Sequence, residues 1–415
     1  MPKPLTKRRT YQDNGKASTS PQVPGRNSRL PREDTRAEVN ELARDSNLIE
    51  RIQRDIAALG LVGEENNGLL TYIVYSSRKQ TGPPSIIIKG PSSSGKDKVQ
   101  RVPARLIPDD DVYDLMSITP QALYYGEDGW LKNKIMLGGE RSHDDNPMQR
   151  DKTAAIRQML SHGYITKATV EEGKAKYIRQ DGPIVYSETT TKNSIFKEDA
   201  NRCFQIETDD SDQLTQRVKA EIAARYKGES ATTAEDLEEI IEQHHEFQNS
   251  LEPVRVRIPY ADALEKFTPD KIEMRRFLEK IFAVIEAVVV LHQHQRTSNK
   301  HDWLVATLED YAVVRPLLLE PMHTALGLGK KYKRYEGIIG ELPRGTFTTT
   351  AAEEKFPNRM ACHRALGALE KAGLLKCLQK GTSHKSARWR WTGTSIGELV
   401  LPSVERLRNC VTTAK

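Results

Sequence analysis

Cysteine is scarce in this sequence of 415 residues: it has only Cys203, Cys362, Cys377 and Cys410, and no two of them form a C-x-x-C pair. That excludes the usual zinc-ligand spacings and a disulfide framework, and the thiols read as reduced groups of a cytoplasmic protein. Long hydrophobic runs are missing too. The longest candidate, residues 281–291, contains Glu286 and falls short of the ~18–20 residues that cross a bilayer. The chain opens Met1-Pro2-Lys3-Pro4 with no apolar stretch behind it, so neither a signal peptide nor a membrane partner is expected. Charge of one sign is not in large excess: 63 Lys and Arg face 57 Asp and Glu, a net +6. The position of the charges, rather than their sum, has to carry any argument for nucleic acid. No internal repeat is visible.

What is present divides along the chain. Residues 1–34 are rich in Lys, Arg, Pro, Ser and Gly and bury too little to offset chain entropy, so a disordered basic tail is expected. Val39, Leu42, Leu48, Ile49, Ile52, Ile56 and Leu59 fall near a 3.6-residue period and predict a helix over 35–59; a second is expected over 67–78. Ser85-Ile86-Ile87-Ile88 reads as a buried strand, as do residues 135–137, 184–186 and 203–206, with helical stretches such as 152–160 between them. Strands alternating with helices predict an α/β core with a mainly parallel sheet. Residues 215–247 predict a long charged helix or helix pair, and 270–296 a further long helix. Over 309–326 the pattern is helical, with Pro316 and Pro321 expected to break or kink it. The expected organisation is a core over 35–228, a helical lid or connector over 229–340, a small domain over 341–398 and a tail over 399–415.

Gly90-Pro91-Ser92-Ser93-Ser94-Gly95-Lys96 matches G-x-x-x-x-G-K directly after the first strand. Such a loop turns backbone N–H groups around a β-phosphate, Lys96 reaches the β- and γ-oxygens, and the next helix offers its positive end. The motif ends in Ser or Thr, whose hydroxyl holds Mg²⁺; this chain has Asp97 instead, a carboxylate that binds the ion but adds negative charge. Phosphoryl transfer also needs an acid at a neighbouring strand end to orient water. Lys134-Ile135-Met136-Leu137-Gly138-Gly139-Glu140 offers Glu140, with Gly139 where an Asp is usual. Thr190, after the 184–186 strand, is the candidate to touch the γ-phosphate or the water, and Arg202 the candidate finger across a subunit interface. Asp209, Asp210, Ser211 and Asp212 read as helix caps. His244, His245, His292 and His294 lack the companions of a metal site, and Arg275, Arg276 and Arg296 read as a solvated helix face.

The end of the chain changes character. Residues 346–348 form a strand or helix entry and 351–356 a short helix, and Asn358 caps a second helix whose packed stripe is Ala361, Ala365, Ala368, Leu369 and Ala372. Strands follow at 374–378 and 388–391. Between Lys371 and Gly393 there is no acid, whereas Lys376, Lys380, Lys385, Arg388 and Arg390 are basic. Two helices and a basic hairpin predict a winged helix-turn-helix that binds DNA through Arg359, His363, Arg364, Lys380, Lys385, Arg388 and Arg390.

From about residue 48 to 393 the chain resembles primase- or helicase-like ATPases of phages and other mobile elements. The resemblance is carried by residues 59–65 and 89–96, Gly139-Glu140-Arg141-Ser142, Glu188-Thr189-Thr190-Thr191, Asn201-Arg202 and residues 292–296. It implies a P-loop core of AAA+ or RecA-like type, a helical lid, homo-oligomerisation, ATP and Mg²⁺ as cofactors, and DNA and replication proteins as partners. Three functions fit these features: a helicase-like motor, a DNA-binding initiator switched by nucleotide without hydrolysis, and a helicase loader or transposition-targeting ATPase.

Overall fold

The computed structural model describes residues 41–413 apart from 118, 120, 144–153, 172, 193, 229–231, 269–271, 299–302, 326–340, 344, 372–373, 383–384 and 393–400. The expected basic tail lies outside the described residues. The single helix expected over 35–59 is two, α1 (Glu41–Arg44) and α2 (Leu48–Ala58). The break between them is local: the Asn47 N–H donates to the Asp45 carboxylate at 2.7 Å, which competes with helix continuation. Helix α3 (Glu65–Ser76) is buried on every side from Gly68 to Ser76.

Strand β1 (Ser85–Lys89) runs into helix α4 (Lys96–Ala104), followed by β2 (Val112–Leu115) and β3 (Lys134–Glu140). Helix α5 (Ala154–His162) leads to an antiparallel pair, β4 (Tyr164–Glu171) and β5 (Lys174–Asp181), and then to β6 (Ile184–Thr190). Helix α6 (Lys197–Ala200), β7 (Cys203–Glu207) and helices α7 (Asp212–Tyr226) and α8 (Ala234–Ser250) follow. Five of these strands form one sheet in the order β2-β3-β6-β1-β7, and all its pairings are parallel.

Period-two alternation gives the sheet two apolar faces. Ile86, Ile88, Ile135, Leu137, Val185, Phe204 and Ile206 belong to the larger core. Met136, Ile184 and Tyr186 point the other way, into a smaller core with Ala155, Ile156 and Met159 of α5. The architecture is α/β with helices on both faces.

Beyond α8 come β8 (Arg255–Arg257), α9 (Ala261–Phe267), α10 (Met274–Leu291), β9 (Trp303–Val305) and α11 (Leu308–Ala325), with β8 and β9 paired in parallel. The break expected at the prolines is absent. Pro316 and Pro321 sit inside α11 without ending it; burial of Val314, Leu317, Leu318 and Met322 offsets the two missing N–H donors. Helices α10 and α11 pack as a layer rather than a lid, the two arrangements their length allows. Phe277, Ile281, Ile285 and Leu318 share one core with Ile73 of α3 and Phe204 of β7, so these helices are a layer of the α/β body.

The last unit comprises β10 (Thr346–Thr348), α12 (Thr349–Glu353), α13 (Arg359–Lys371), β11 (Leu375–Gln379) and β12 (Arg388–Trp391). Its strands form an antiparallel sheet in the order β10-β12-β11. Asn358 caps α13 as expected, accepting from the Ala361 N–H at 2.8 Å. The packed stripe is Cys362, Ala365, Leu366 and Leu369; Ala361 and Ala368 are only partly buried. The expected tail contains helix α14 (Val404–Thr413), which buries Leu407, and Leu401 just before it is buried too.

Candidate functional site

The loop between β1 and α4 borders a cleft of about 720 Å³ at the C-terminal end of the parallel sheet. Ser93 (φ +66°) and Gly95 (φ +88°) are left-handed residues separated by one residue, a backbone pattern that forms an anion-binding nest of N–H groups. Gly90 is required by close approach, since a Cβ there would lie 2.0 Å from Thr208 Oγ1. Ser94 Oγ is 2.6 Å from the same threonine hydroxyl, which fastens the loop to the end of β7. Lys96 is buried, and its ammonium donates to the Pro91 carbonyl at 2.7 Å. Asp97 is exposed on the first turn of α4 and lines the cleft.

Glu140 reaches the same cleft from the end of β3 and is exposed. Strand β6 lies between β3 and β1, so two inter-strand steps, roughly 10 Å, separate Glu140's strand from the loop's. Gly139 has a steric cause: a Cβ there would meet the Met116 carbonyl oxygen at 2.6 Å. The Asp usual at this position cannot be accommodated without moving backbone.

The cleft's other walls were not foreseen as a site. Leu61 and Val62 line one side, and Leu214, Val218 and Ile222, four residues apart on α7, line another. An apolar stripe at helical spacing opposite a phosphate-type loop suits a flat nucleobase. Ser211 caps α7, accepting from the Leu214 N–H at 3.2 Å, and Asp209 and Asp210 line the cleft in addition to flanking that cap. Glu64 is buried at the cleft wall, accepting from the Asp209 N–H and the Asn67 amide, each at 2.6 Å. Burial pushes its carboxyl up to about 6 against the lowering effect of those bonds.

Thr190 and Arg202 do not line this cleft. The Thr190 hydroxyl is buried and donates to the Arg141 carbonyl at 2.7 Å, on the sheet face of Tyr186 and Glu188. Its neighbour Thr189 shares the face of Ser187, which the Gln100 amide of α4 contacts. The Thr189 hydroxyl is buried without a hydrogen-bond partner. Arg202 precedes β7 at the opposite end of the sheet, where its Nε donates to Ser161 Oγ at 2.8 Å and Nη1 to the Glu198 carbonyl.

Beneath the sheet lies a polar cluster that the sequence did not signal. Glu188 is fully buried, with His143 Nε2 at 2.7 Å, the Tyr186 hydroxyl donating at 2.7 Å and Arg141 Nη1 at 3.3 Å. Arg141 also pairs with Asp199 at 2.8 Å. Burial alone would raise Glu188, but the His143 bond and the Arg141 charge outweigh it and hold its carboxyl below the ordinary value. His244 is likewise structural, between Asp55 (3.1 Å) and the Tyr72 hydroxyl (2.9 Å). His245 meets the Arg105 carbonyl, His292 the Val288 carbonyl and His294 the Ser250 hydroxyl. Arg275 and Arg276 are exposed, and Arg296 pairs with Asp310.

In the C-terminal unit Arg359, His363, Arg364, Lys380, Lys385, Arg388 and Arg390 are all exposed. Strand alternation divides them: Phe347, Leu375 and Trp389 are buried on the inner face of the sheet, and Arg388 and Arg390, on either side of Trp389, face outward.

No protein-family model matches this chain, and no curated protein matches its sequence. The chemistry of the site rests on its geometry.

Proposed function

We propose that this chain is a P-loop ATPase of AAA+ or RecA-like type that acts on DNA, a helicase-like motor or remodeller of mobile-element replication. The observation that carries the reading is that Lys96 and Glu140 line one cleft, with a strand between theirs. ATP would seat its triphosphate on the loop at residues 90–96 and its base against Leu61, Val62, Leu214 and Val218. The exposed carboxylates of Asp97 and Glu140 are the oxygen donors that suit Mg²⁺. Among the described residues no cluster of three His, Cys, Asp or Glu could cage a metal. Mg²⁺ held by one or two carboxylates and by phosphate oxygens needs no such cage. When bound, the nucleotide with its ion supplies the γ-phosphoryl group. Lys96 then balances phosphate charge and Glu140 orients the attacking water.

Arg202, at the sheet end remote from its own cleft, fits the role of a finger for a second copy's cleft, which favours a homo-oligomer. In the C-terminal unit, two helices between strands of a three-stranded antiparallel sheet support a winged helix, with DNA as its ligand. Replication proteins are further partners on this reading, and the cytoplasm its compartment.

A second reading has its own observation. Gly139 has no room for a side chain and Asp97 stands in place of a hydroxyl, which favours a DNA-binding initiator switched by nucleotide without turnover. Steady-state ATP hydrolysis with Mg²⁺, with and without DNA, separates the two. For the motor, DNA-stimulated turnover should fall at least roughly a hundredfold in Glu140→Gln with ATP binding kept, and Lys96→Ala should lose binding. Tight binding with no turnover above Glu140→Gln would leave the switch. ATP binding unchanged in Lys96→Ala would remove the nucleotide site altogether.

A further inference from the structure

The residues expected to bind DNA fall on two different surfaces, and only one of them is purely basic. On the outer face of the C-terminal sheet, Thr346, Arg390 and Lys376 form one row across the three strands, and Thr348, Arg388 and Gln379 the next. Lys380 and Lys385 continue this face into the turn between β11 and β12. The inner face is closed by Trp389, whose indole donates to Thr349 Oγ1 at 2.9 Å. Helix α13 lies on that inner side, packed through Cys362, Ala365, Leu366 and Leu369. The outer face and the exposed side of α13 therefore look in different directions, with the sheet between them.

Their charges differ as well. At the start of α13, Arg359 Nε is 3.2 Å from Glu353 Oε1, and His363 Nε2 is 3.7 Å from the same oxygen. Glu354, just after α12, and Glu370, on α13, are exposed. The helical surface is thus partly neutralised before any partner arrives. On the sheet face, Lys376, Lys380, Lys385, Arg388 and Arg390 have no acidic partner among the described residues, and no acid occurs between Lys371 and Gly393.

We propose that this outer sheet face, rather than α13, is the surface through which the protein grips the phosphate backbone of duplex DNA. The proposal rests on the DNA-binding reading above and names its surface. Arg388 and Arg390, two residues apart on one strand, share its outer face, their Cα atoms about 6.8 Å apart. Lys376, paired with Arg390, adds a third charge one strand away. Among the described residues this face presents no stacking platform: Trp389 is buried, and Trp391, on the same inner side, pairs with Leu375 and donates to the Pro343 carbonyl at 3.0 Å. Single-stranded recognition depends on such platforms, and base readout on reach into a groove. A flat basic face without either fits backbone contact that is indifferent to sequence and sensitive to salt.

The test uses the full chain and a short labelled duplex of arbitrary sequence, titrated by fluorescence anisotropy from about 50 to 200 mM salt. The variant Lys376→Gln/Arg388→Gln/Arg390→Gln keeps the aliphatic stems and removes three charges. It should weaken binding at least roughly tenfold and flatten the slope of log affinity against log salt by about 2.7, roughly 0.9 for each lost contact. Arg359→Gln/Arg364→Gln should stay within about threefold with the slope unchanged. If the triple variant does not fold, Arg390→Gln and Lys376→Gln singly should each flatten the slope by about 0.9. The reverse pattern, in which the helix variant loses affinity and the sheet variant keeps it, would overturn the proposal and leave DNA binding standing. Absence of salt-dependent duplex binding by the unaltered protein would overturn both. Binding to vesicles of mixed phosphatidylserine and phosphatidylcholine, lost in the triple variant while duplex binding persists, would assign the face to an anionic lipid surface instead.

Discussion

Glu140 and Glu188 stand on neighbouring strands of one sheet, yet they sit in opposite settings. Glu140 is exposed at the mouth of the cleft that Lys96 also lines. Glu188 is fully buried and saturated by His143, Tyr186 and Arg141. A carboxylate that orients water has to keep free lone pairs and solvent access; one enclosed by three donors has neither. The two are joined by chain continuity, because Arg141 follows Glu140 directly. The Arg141 N–H donates to the Thr189 carbonyl at 2.9 Å, and its side chain reaches Glu188 and Asp199. The buried acid ties down the strand end, and the exposed acid is carried on it.

The sharpest way to break this comparison is to remove each acid in turn. Glu188→Leu should destabilise the fold by about 3–5 kcal/mol, because it strips the buried His143 ring and Tyr186 hydroxyl of their acceptor and leaves Arg141 with Asp199 as its one remaining counter-charge. Glu140→Ala should change stability by less than about 0.5 kcal/mol, as exposed substitutions usually do. Urea unfolding of both variants decides it. Equal costs would mean that the cluster under the sheet does not hold the strand end.

A smaller effect tests why a glycine precedes Glu140. Gly139→Asp restores the usual acidic pair, but its Cβ would enter the space of the Met116 carbonyl oxygen, 2.6 Å away. A cost of about 1–3 kcal/mol is expected, with no gain in turnover. A variant as stable as the parent, by thermal unfolding, would show that Gly139 is not held by close approach.

The same contrast explains what could be read from the sequence. The loop at residues 90–96 is contiguous, and its strand and helix flank it in the chain, so local spacing was enough. Strand β12 and the Asn358 cap of α13 were legible for the same reason. The Glu188 cluster joins β3, β6 and α6, segments whose proximity depends on the strand order, and nothing local marks it. The β4–β5 hairpin escaped notice because its faces are mostly exposed, with only Ile165 and Gln180 buried near its base. It therefore carries no alternating apolar pattern. Thr190 faces away from the cleft because side chains alternate along β6, and the pairing with β1 and β3 that decides each one's face is not local in sequence. The apolar wall of α7 resembles an ordinary amphipathic face until the cleft beside it is seen.

The smallest effect concerns the cleft's own buried acid. Glu64 differs from Glu188 in its partners: it accepts from the Asp209 N–H and the Asn67 amide, and no ion pair offsets its burial. Its carboxyl is consequently raised to about 6 from an ordinary 4.5. A raised carboxyl binds its proton more tightly in the folded chain than in the unfolded one. The stability this contributes is present below pH 4.5 and is lost as pH rises through about 6. Glu64→Gln cannot ionise, and its single carbonyl oxygen keeps one of the two acceptor contacts, a loss that is the same at every pH. Relative to that variant, the parent should lose about 1 kcal/mol of stability between pH 4.5 and 7, less than the full shift implies because the cleft admits some water. Urea unfolding of both proteins at the two pH values measures this difference. A constant difference would mean that Glu64 ionises as a surface carboxylate does and that the wall beside the base is open to solvent. A difference that closes as the pH falls would mean that burial without a counter-ion raises Glu64, whereas burial with one lowers Glu188.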